Sequence, residues 1–347
     1  MSTIPTTFNE TIPSYTVVGG RERLGSTGLS AVLLNRGGRF SRQGLFRDLE
    51  KTGFDTVVSM ESAPISYDID ELGIRFPFVR FILLQKELSL GEQINIAASE
   101  TDSPLFFVLR NDLKIIAGGT ARRMAERLSV SQDNTEEKTG KNRYRRICTV
   151  PVMQNSRFET LPTLIAPVLH RRKVKTLFLN PASEGLPSLY PFDGVGIYDR
   201  DSFIQLGGFD STFNNSYWQL MDFGFRAWLW GEEITATRTL KLSYETSVPA
   251  EDNSINADYN RFFLKNIAPV FEGDFAHLPL YRFPGHLLRS CLVRNGSGSI
   301  SGAWEDFSDS CRWVTTNQFR WRCNPRAVTG RWDQIVTGEI VFSENSG

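Results

Sequence analysis

Histidine and cysteine are scarce in this sequence, and neither residue type is clustered. The 347 residues include three histidines and four cysteines. The cysteines lack the close paired spacing of zinc sites, and four are too few for a disulfide scaffold in a chain of this length. They are Cys148, Cys291, Cys311 and Cys323. We therefore predict reduced, mostly packed thiols, and we do not expect the scattered histidines to act as ligands.

A net charge and long apolar runs are also missing. Lys and Arg total 39, and so do Asp and Glu. No overall field attracts nucleic acid or an anionic membrane, so we expect no nucleic-acid partner. No run approaches the ~18 apolar residues that a membrane-spanning helix needs. The first fifteen residues are polar and lack the basic start and apolar segment of a secretory signal. These absences predict a cytoplasmic protein.

The sequence does contain ordinary globular material, since 40% of its residues are hydrophobic, enough for the core of one large domain. From residue 29 onward, apolar runs of strand length alternate with helical patterns. The predicted strands are Ser30–Leu34, Asp55–Met60, Phe78–Leu84, Pro104–Leu109, Ile147–Met153 and Leu189–Tyr198. The predicted helices lie between Ser41 and Gly53, from Ser89 to Ala98, and around Asp222 up to Gly231. This alternation indicates an α/β fold with a mostly parallel sheet.

Two regions lack the regular alternation. The segment Ala121–Arg146 is polar and predicts a helix that runs into a long loop. Beyond about Ala268 the sequence is rich in Arg, Trp, Gly and Ser without an obvious helical period. The expected division is therefore an N-terminal extension over 1–28, one α/β domain over 29–267, and a C-terminal appendage of unknown role over 268–347.

Polar residues follow three of the predicted strands at the point where each strand ends. They are Asn35 and Arg36, then Glu61, then Arg110, Asn111 and Asp112. Ligands of open α/β sheets bind at the carboxyl ends of the strands, so these residues predict a nucleotide site at one sheet edge. Glu61 would accept hydrogen bonds from a base or ribose, and Asn111 and Asp112 would lie near a diphosphate. One polar residue after a strand is usually a solvated turn, and it is the joint arrangement that favours a site.

A longer motif occupies Gly194–Glu232. Its ordered elements are a strand, Arg200, a short helix, the run Gly207, Gly208, Phe209 and Asp210, and then Asp222 and Arg226 before Gly231. This order resembles the acceptor-side signature of family-2 glycosyltransferases of the GT-A fold. SAVLLNRGG is similar to the family's first strand and turn, TVVSMES to its second strand, and FFVLRND to the strand that leads to its metal-binding carboxylates. The resemblance spans Ser30 to Lys265.

The resemblance implies a Rossmann-like GT-A fold, with a central mostly parallel sheet flanked by helices. It implies a hexosyltransferase-type, inverting enzyme that moves a sugar from a nucleotide-diphosphate donor to a glycan or lipid-linked acceptor, as in polysaccharide biosynthesis of the cell envelope. Such a reaction needs a carboxylate base at the acceptor hydroxyl and positive charge at the leaving diphosphate. By resemblance, Asp222 is the base and Asp112 is the ligand of a divalent cation, Mn2+ or Mg2+. The implied acceptor-side residues are Gly207, Gly208, Phe209, Asp210 and Trp218.

Simpler structural roles compete with these assignments. Asp222 could be a carboxylate that the helix dipole stabilises near a helix start. Arg226 is expected to be an ion-pair partner, and large aromatic residues such as Trp218 and Trp228 serve cores before they serve as sugar platforms.

The sequence also departs from the family pattern. Arg110 stands at the first acidic position of the metal motif, where its guanidinium could bind the diphosphate directly. Met221 stands where an acid usually precedes the base, and Tyr244, Glu245 and Thr246 stand where a histidine often lies. One alternative is therefore a catalytically silent glycosyltransferase-like protein that binds sugar, nucleotide or a partner. Another is a sugar nucleotidyltransferase, although the loop GGRFSR is short and unpatterned for that class. The appendage could cover an acceptor groove, contact the inner membrane face peripherally, or hold a partner subunit.

Overall fold

Strands and helices alternate along the chain in the computed structural model, which describes residues 13–36, 42–62, 68–116, 122–128, 145–170, 173–292, 300–333 and 335. Most of the polar segment Ala121–Arg146, with its predicted loop, lies outside the described residues, as does most of the GGRFSR loop.

The strands are β1 (Tyr15–Gly19), β2 (Leu29–Leu34), β3 (Val57–Glu61), β4 (Val79–Leu84), β5 (Leu105–Arg110), β6 (Leu113–Ile115), β7 (Arg145–Gln154), β8 (Leu164–His170), β9 (Lys173–Leu179), β10 (Gly196–Asp199), β11 (Glu232–Tyr244), β12 (Val270–Phe271) and β13 (Ala276–His277). The α-helices are α1 (Arg42–Thr52), α2 (Ile69–Arg75), α3 (Leu90–Glu100), α4 (residues 122–128), α5 (Arg200–Leu206), α6 (Ser216–Trp230), α7 (Ala257–Phe262), α8 (Phe283–Leu292), α9 (Ile300–Thr316) and α10 (Pro325–Thr329). Short 3-10 turns occupy Phe192–Gly194, Leu280–Arg282, Gln318–Arg320 and Gly330–Trp332, and a π-helical turn occupies Phe263–Ile267.

A nine-stranded sheet runs through the described part of the chain in the order β1-β4-β3-β2-β5-β10-β7-β11-β6. The pairs β4-β3, β3-β2, β2-β5 and β7-β11 are parallel, and the other four neighbouring pairs are antiparallel. Six of the nine strands therefore point in one direction, and β1, β6 and β10 point in the other. The predicted α/β fold with a mostly parallel central sheet flanked by helices is confirmed.

The local sequence explains these elements. Every residue of β2 and β5 is buried, because these central strands are apolar on both faces, as parallel strands between helix layers must be. Helix α3 begins at Ser89, whose hydroxyl accepts the N–H of Glu92 while the Glu92 carboxylate accepts the N–H of Ser89. Helix α6 ends at Gly231, which has a φ of 91°, a left-handed conformation that glycine adopts without strain.

The structure changes the expected picture of the two ends of the chain. Residues Tyr15–Gly19, placed in the N-terminal extension, form β1 and pair with β4 at the edge of the sheet. The expectation of no helical period beyond Ala268 is wrong, because that region forms α8, α9 and α10. The side chains of Trp321 and Trp332 belong to the main core, and the Trp332 indole N–H donates to the carbonyl of Pro187 at 3.1 Å.

The predicted strand over Leu189–Tyr198 is shorter in the structure. The turn Phe192–Gly194 interrupts it, and only Gly196–Asp199 pairs in the sheet. Cys148 is buried, and all four cysteines are free thiols. Among the described residues, no helix is both long enough and apolar enough to cross a membrane.

Candidate functional site at the carboxyl edge of the sheet

The carboxyl ends of the parallel strands meet at one edge of the sheet, where β5 ends at Arg110 and β2 is followed by Arg36. The antiparallel strands β6 and β10 begin at this edge, so Asp112 and Asp193, which lie shortly before them, are there too. Four side chains form one ion-pair network, which we call the edge cluster: Arg36, Arg110, Asp112 and Asp193.

Asp193 is the centre of the edge cluster. One carboxylate oxygen accepts a hydrogen bond from Nη2 of Arg110 at 3.0 Å, and the other binds Nη2 of Arg36. The Tyr244 hydroxyl lies 3.4 Å from this second oxygen. Burial and the Asp193 charge raise the pKa of Tyr244 well above its ordinary value, so the hydroxyl is a neutral donor. The φ of Asp193 is 58°, a left-handed conformation that aspartate tolerates better than most side chains.

Asp112 completes the edge cluster and has an unused oxygen. Its Oδ2 accepts hydrogen bonds from Nη1 of Arg36 at 3.1 Å and from the Thr246 hydroxyl at 2.9 Å. Its Oδ1 is buried and has no hydrogen-bond partner among the described residues, and the same is true of Nε of Arg110. A buried polar atom without a partner costs about 1–3 kcal/mol. One acceptor and one donor are therefore available here for a polar ligand.

The two predicted asparagines support the same edge. The side-chain oxygen of Asn111 accepts the backbone N–H of Arg36 at 3.0 Å, which links the ends of β2 and β5. The side-chain amide of Asn35 donates to the carbonyl of Met60 at 2.7 Å, which links β2 to β3. Both residues thus hold the strand ends in register beside the edge cluster.

Glu61, the residue predicted to contact the nucleoside, lies at this edge but is engaged internally. It is 2% exposed, its carboxylate lies 2.9 Å from Nη2 of Arg42, and the Ser59 hydroxyl donates to it at 2.7 Å. Burial raises the pKa of Glu61 despite the opposing charge of Arg42. The structure therefore brings all six predicted donor-side residues to one edge, with Glu61 below the surface.

The edge cluster does not fit a divalent cation held by Asp112. A hard cation takes several oxygen ligands, whereas Asp112 has one free oxygen and both oxygens of Asp193 are bound by arginine. No group of three or more His, Cys, Asp or Glu that could hold a metal occurs within the described ranges. Two guanidinium groups also place positive charge where the cation would bind. The described residues thus give the expected Mn2+ or Mg2+ no ligand set.

The predicted acceptor-side run is buried and holds helices together. Gly207 and Gly208 have φ values of 93° and 66°, and a Cβ on Gly208 would lie 2.4 Å from Oδ1 of Asn95. That oxygen accepts the N–H of Phe209 at 2.8 Å, and the Asn95 amide donates to the Phe209 carbonyl at 2.7 Å. Asp210 is 1% exposed and forms an ion pair with Lys265. The run is a tight turn that joins α5 to α3 and to the π-helical turn.

Trp218 also lies in the core. It is 2% exposed, and its indole N–H donates to the carbonyl of Ser254 at 2.9 Å. Its ring packs against Tyr217, Tyr259 and Phe262, at centroid distances of 4.7, 4.9 and 5.5 Å. The indole ring therefore has no exposed face on which a sugar ring could stack, and its contacts are those of a core residue.

Asp222, the predicted base, lies inside the protein. Asp222 and Arg226 are both 0% exposed, and one Asp222 oxygen accepts hydrogen bonds from Nε and Nη2 of Arg226 at 3.1 and 2.9 Å. The other oxygen accepts the side-chain amide of Asn266 at 2.8 Å. Arg226 in turn donates to the carbonyls of Leu206 and Gly208, at the end of α5. A base needs an oxygen that is free to accept the proton of the acceptor hydroxyl. Both oxygens of this carboxylate are occupied by internal donors, so the structure favours a structural role for it. The expected ion-pair role of Arg226 is confirmed.

Sequence reasoning missed two residues: Asp193, the centre of the edge cluster, and Glu251, whose carboxyl group interacts electrostatically with Asp193. Asp193 was missed because only residues after parallel strands were searched, whereas it lies before an antiparallel strand. Its signal was the turn sequence PFDG. Glu251 was missed because it lies in the loop after β11, which has no pattern of its own. Its carboxylate accepts a hydrogen bond from the Tyr190 hydroxyl at 2.8 Å.

Comparisons with known proteins give a distant likeness. No protein-family model matches the chain, and no curated protein matches it. Among solved structures, GalNAc-T7 with UDP, GalNAc and Mn2+ is 10% identical, with a TM-score of 0.49 over 83% of this chain and 57% of its own. TarS from S. aureus in complex with UDP-GlcNAc is 9% identical, with a TM-score of 0.47 over 83% of this chain and 72% of its own. The chain thus matches just over half of the GalNAc-T7 structure.

Proposed function

We propose that this protein is a glycosyltransferase that takes its sugar from a nucleotide-diphosphate donor bound at the edge cluster. The observation that carries the proposal is a pair of buried atoms that have no hydrogen-bond partner among the described residues, Nε of Arg110 and Oδ1 of Asp112, at the carboxyl edge of an α/β sheet. That edge is where such sheets bind ligands. The sequence motif that resembles family-2 glycosyltransferases points to the same class.

The edge cluster suits a diphosphate. Breaking the bond between the anomeric carbon and the diphosphate places negative charge on the leaving group. The guanidinium groups of Arg110 and Arg36 are of the kind that binds phosphate oxygens in pairs. In the structure, both Nη atoms of Arg36 and Nη2 of Arg110 are engaged by carboxylates. Asp193 holds both guanidinium groups in the structure, so it fixes their positions and competes with the phosphate for them. Asp112 Oδ1 then remains as an acceptor for a sugar hydroxyl.

The experiment is calorimetric titration of the protein with UDP, GDP, dTDP and CMP, followed by the monophosphate of whichever diphosphate binds. The difference between diphosphate and monophosphate isolates the contribution of the second phosphate. Each titration is run with and without manganese, and the proposal expects binding that does not require the metal.

The matched variants are Arg110→Gln and Arg23→Gln. Arg23 is an arginine with a largely exposed side chain, paired with Asp102, which precedes the start of β5 at the edge of the sheet opposite to the edge cluster. Hydrogen bonds to charged groups contribute ~1.5–3 kcal/mol, so Arg110→Gln should weaken diphosphate binding by about tenfold or more and leave monophosphate binding nearly unchanged. Equal losses for both ligands, or no loss, would contradict the assignment, and urea unfolding checks that the variant is folded.

A second candidate is a glycosyltransferase-like protein that binds without turnover. It is favoured by the internal neutralisation of the edge cluster, where two carboxylates already balance Arg36 and Arg110, and by the enclosure of Asp222. Nucleotide binding with no consumption of a nucleotide sugar would establish this function and exclude the enzyme.

A further inference from the structure

Glu251 lies in the loop that follows β11 and covers the beginning of α6. The side-chain amide of Asn215, which caps α6, donates to the carbonyl of Asp252 at 3.0 Å. The indole of Trp218 donates to the carbonyl of Ser254 at 2.9 Å. These bonds fix the loop against the first turn of α6. The loop follows the carboxyl end of β11, which is parallel to β7, so it begins at the same edge of the sheet as the edge cluster.

One oxygen of Glu251 is fixed and the other is unused. The Tyr190 hydroxyl donates to Oε2 at 2.8 Å, and the Tyr190 ring is 0% exposed and packs edge-on against Tyr217. Oε1 is buried and has no hydrogen-bond partner among the described residues. Tyr190 lies three residues before Asp193 in the same turn, so the carboxylate is tied to the segment that organises the edge cluster.

The surroundings of Glu251 favour a proton acceptor that works near neutral pH. Burial raises its pKa to about 7, the Tyr190 hydrogen bond acts in the opposite direction, and the Asp193 charge adds to the increase. The titratable groups that face it in the described structure are Tyr190, Tyr217 and Asp193. A general base works best when its pKa lies near the working pH.

We propose that Glu251 is the general base of the transferase, a role that depends on the proposed function. Oε1 takes the proton of the acceptor hydroxyl as the acceptor oxygen forms its bond to the anomeric carbon. The bond from that carbon to the donor diphosphate breaks, and its electron pair leaves with the diphosphate beside Arg36 and Arg110. Tyr190 is a positioning residue, because it binds Oε2 and leaves Oε1 as the oxygen without a partner among the described residues.

The competing explanation is a neutral glutamic acid that only holds Tyr190. The two explanations differ in kinetics. A base must be deprotonated, so the rate of the wild type should decrease as the pH is lowered below about 7, which gives the pH-rate profile an acidic limb. A carboxyl group with a structural role alone predicts no such limb.

The test measures release of nucleoside diphosphate from the nucleotide sugar that binds, chosen from UDP-glucose, GDP-mannose and dTDP-glucose, with water as the acceptor. Glu251→Gln keeps the size of the side chain and removes the base, so the rate should fall about 100-fold or more while donor affinity changes less than twofold. The control is Glu245→Gln, an exposed acid in the same loop whose side chain pairs with Lys114.

Tyr190→Phe supplies a second readout. It removes the hydrogen bond that lowers the Glu251 pKa, so the acidic limb of the pH-rate profile should move to higher pH without loss of donor binding. Normal turnover by Glu251→Gln, or an unmoved limb in Tyr190→Phe, would overturn the base assignment. Binding without turnover in the wild type would overturn the enzymatic activity on which that assignment rests. Absence of donor binding in the wild type would instead overturn the proposed function itself.

Discussion

Replacement of Asp222 by asparagine distinguishes a buried ion pair from a catalytic base. If Asp222 were the base, the variant would fold normally and lose transfer. The structure predicts a different result, because the carboxylate is 0% exposed and compensates the buried guanidinium of Arg226. Asparagine has nearly the same volume, so the change removes charge and leaves packing almost intact.

The size of the effect follows from what is left behind. Asp222 accepts two hydrogen bonds from Arg226, and the variant keeps at most a neutral acceptor there. Removing one partner of a buried ion pair costs about 3–5 kcal/mol, because the other charge stays buried without compensation. Domains of ordinary stability have about 5–15 kcal/mol in total. The variant should therefore be destabilised by a large part of that stability.

Urea unfolding followed by tryptophan fluorescence measures the change as a shift of the midpoint at constant slope. Asp48→Asn is the control, since Asp48 is an exposed acid on α1 and should change the free energy of unfolding by less than about 0.5 kcal/mol. A stability of Asp222→Asn within that range would refute the assignment of a structural ion pair.

Three further predictions concern packing, titration and capping. Gly224→Ala should lower the free energy of unfolding in urea by about 1–3 kcal/mol, because its Cβ would lie 2.3 Å from the carbonyl oxygen of Leu189. The control is Gly73→Ala, whose Cβ meets open space, so that this change should leave the free energy of unfolding unchanged or raise it. Burial raises the pKa of Glu232 from 4.5 to about 7, so the folded state binds a proton on this carboxyl group more tightly than the unfolded state does. The stability that this protonation contributes is lost as the pH rises through that range. Glu232→Gln should therefore show a smaller difference in urea midpoint between pH 5 and pH 8 than the wild type. Ser89→Ala should lower the free energy of unfolding by about 1 kcal/mol through loss of the α3 cap, and an unchanged midpoint would contradict the capping role.

The alternating first half of the fold could be predicted because local signals agree with the tertiary structure there. The run Ser30–Leu34 is apolar on both faces, Ser89 caps α3, and Gly231 ends α6. The C-terminal helices were not predicted, since the polar and small residues of Ile300–Thr316 obscure a stripe that contains Phe307 and Val314. Their helical state is fixed by packing against other segments, which no local window contains.

The residues of the candidate site also divide into those that the sequence predicts and those that it does not. Residues that follow parallel strands, such as Arg36 and Asp112, are found from the order of strands alone. The place of Asp193 at this edge can be predicted only if β10 is known to run antiparallel to β5. That direction is set by strand pairing and cannot be read from the sequence of β10. The roles of Asp222 and Glu251 depend on which of their oxygens are occupied. Both oxygens of Asp222 accept hydrogen bonds from buried side chains, whereas Oε1 of Glu251 has no partner within the part of the chain that the structure describes.

The strand β1 has a consequence for any shortened form of this protein. It pairs with residues 80–84 of β4, whose sequence VRFILL would otherwise present a row of unpaired N–H and C=O groups. An exposed apolar edge of this kind recruits strands from other molecules. A chain that begins at residue 29, where the regular alternation starts, would therefore aggregate through β4, although every residue of the edge cluster would still be present.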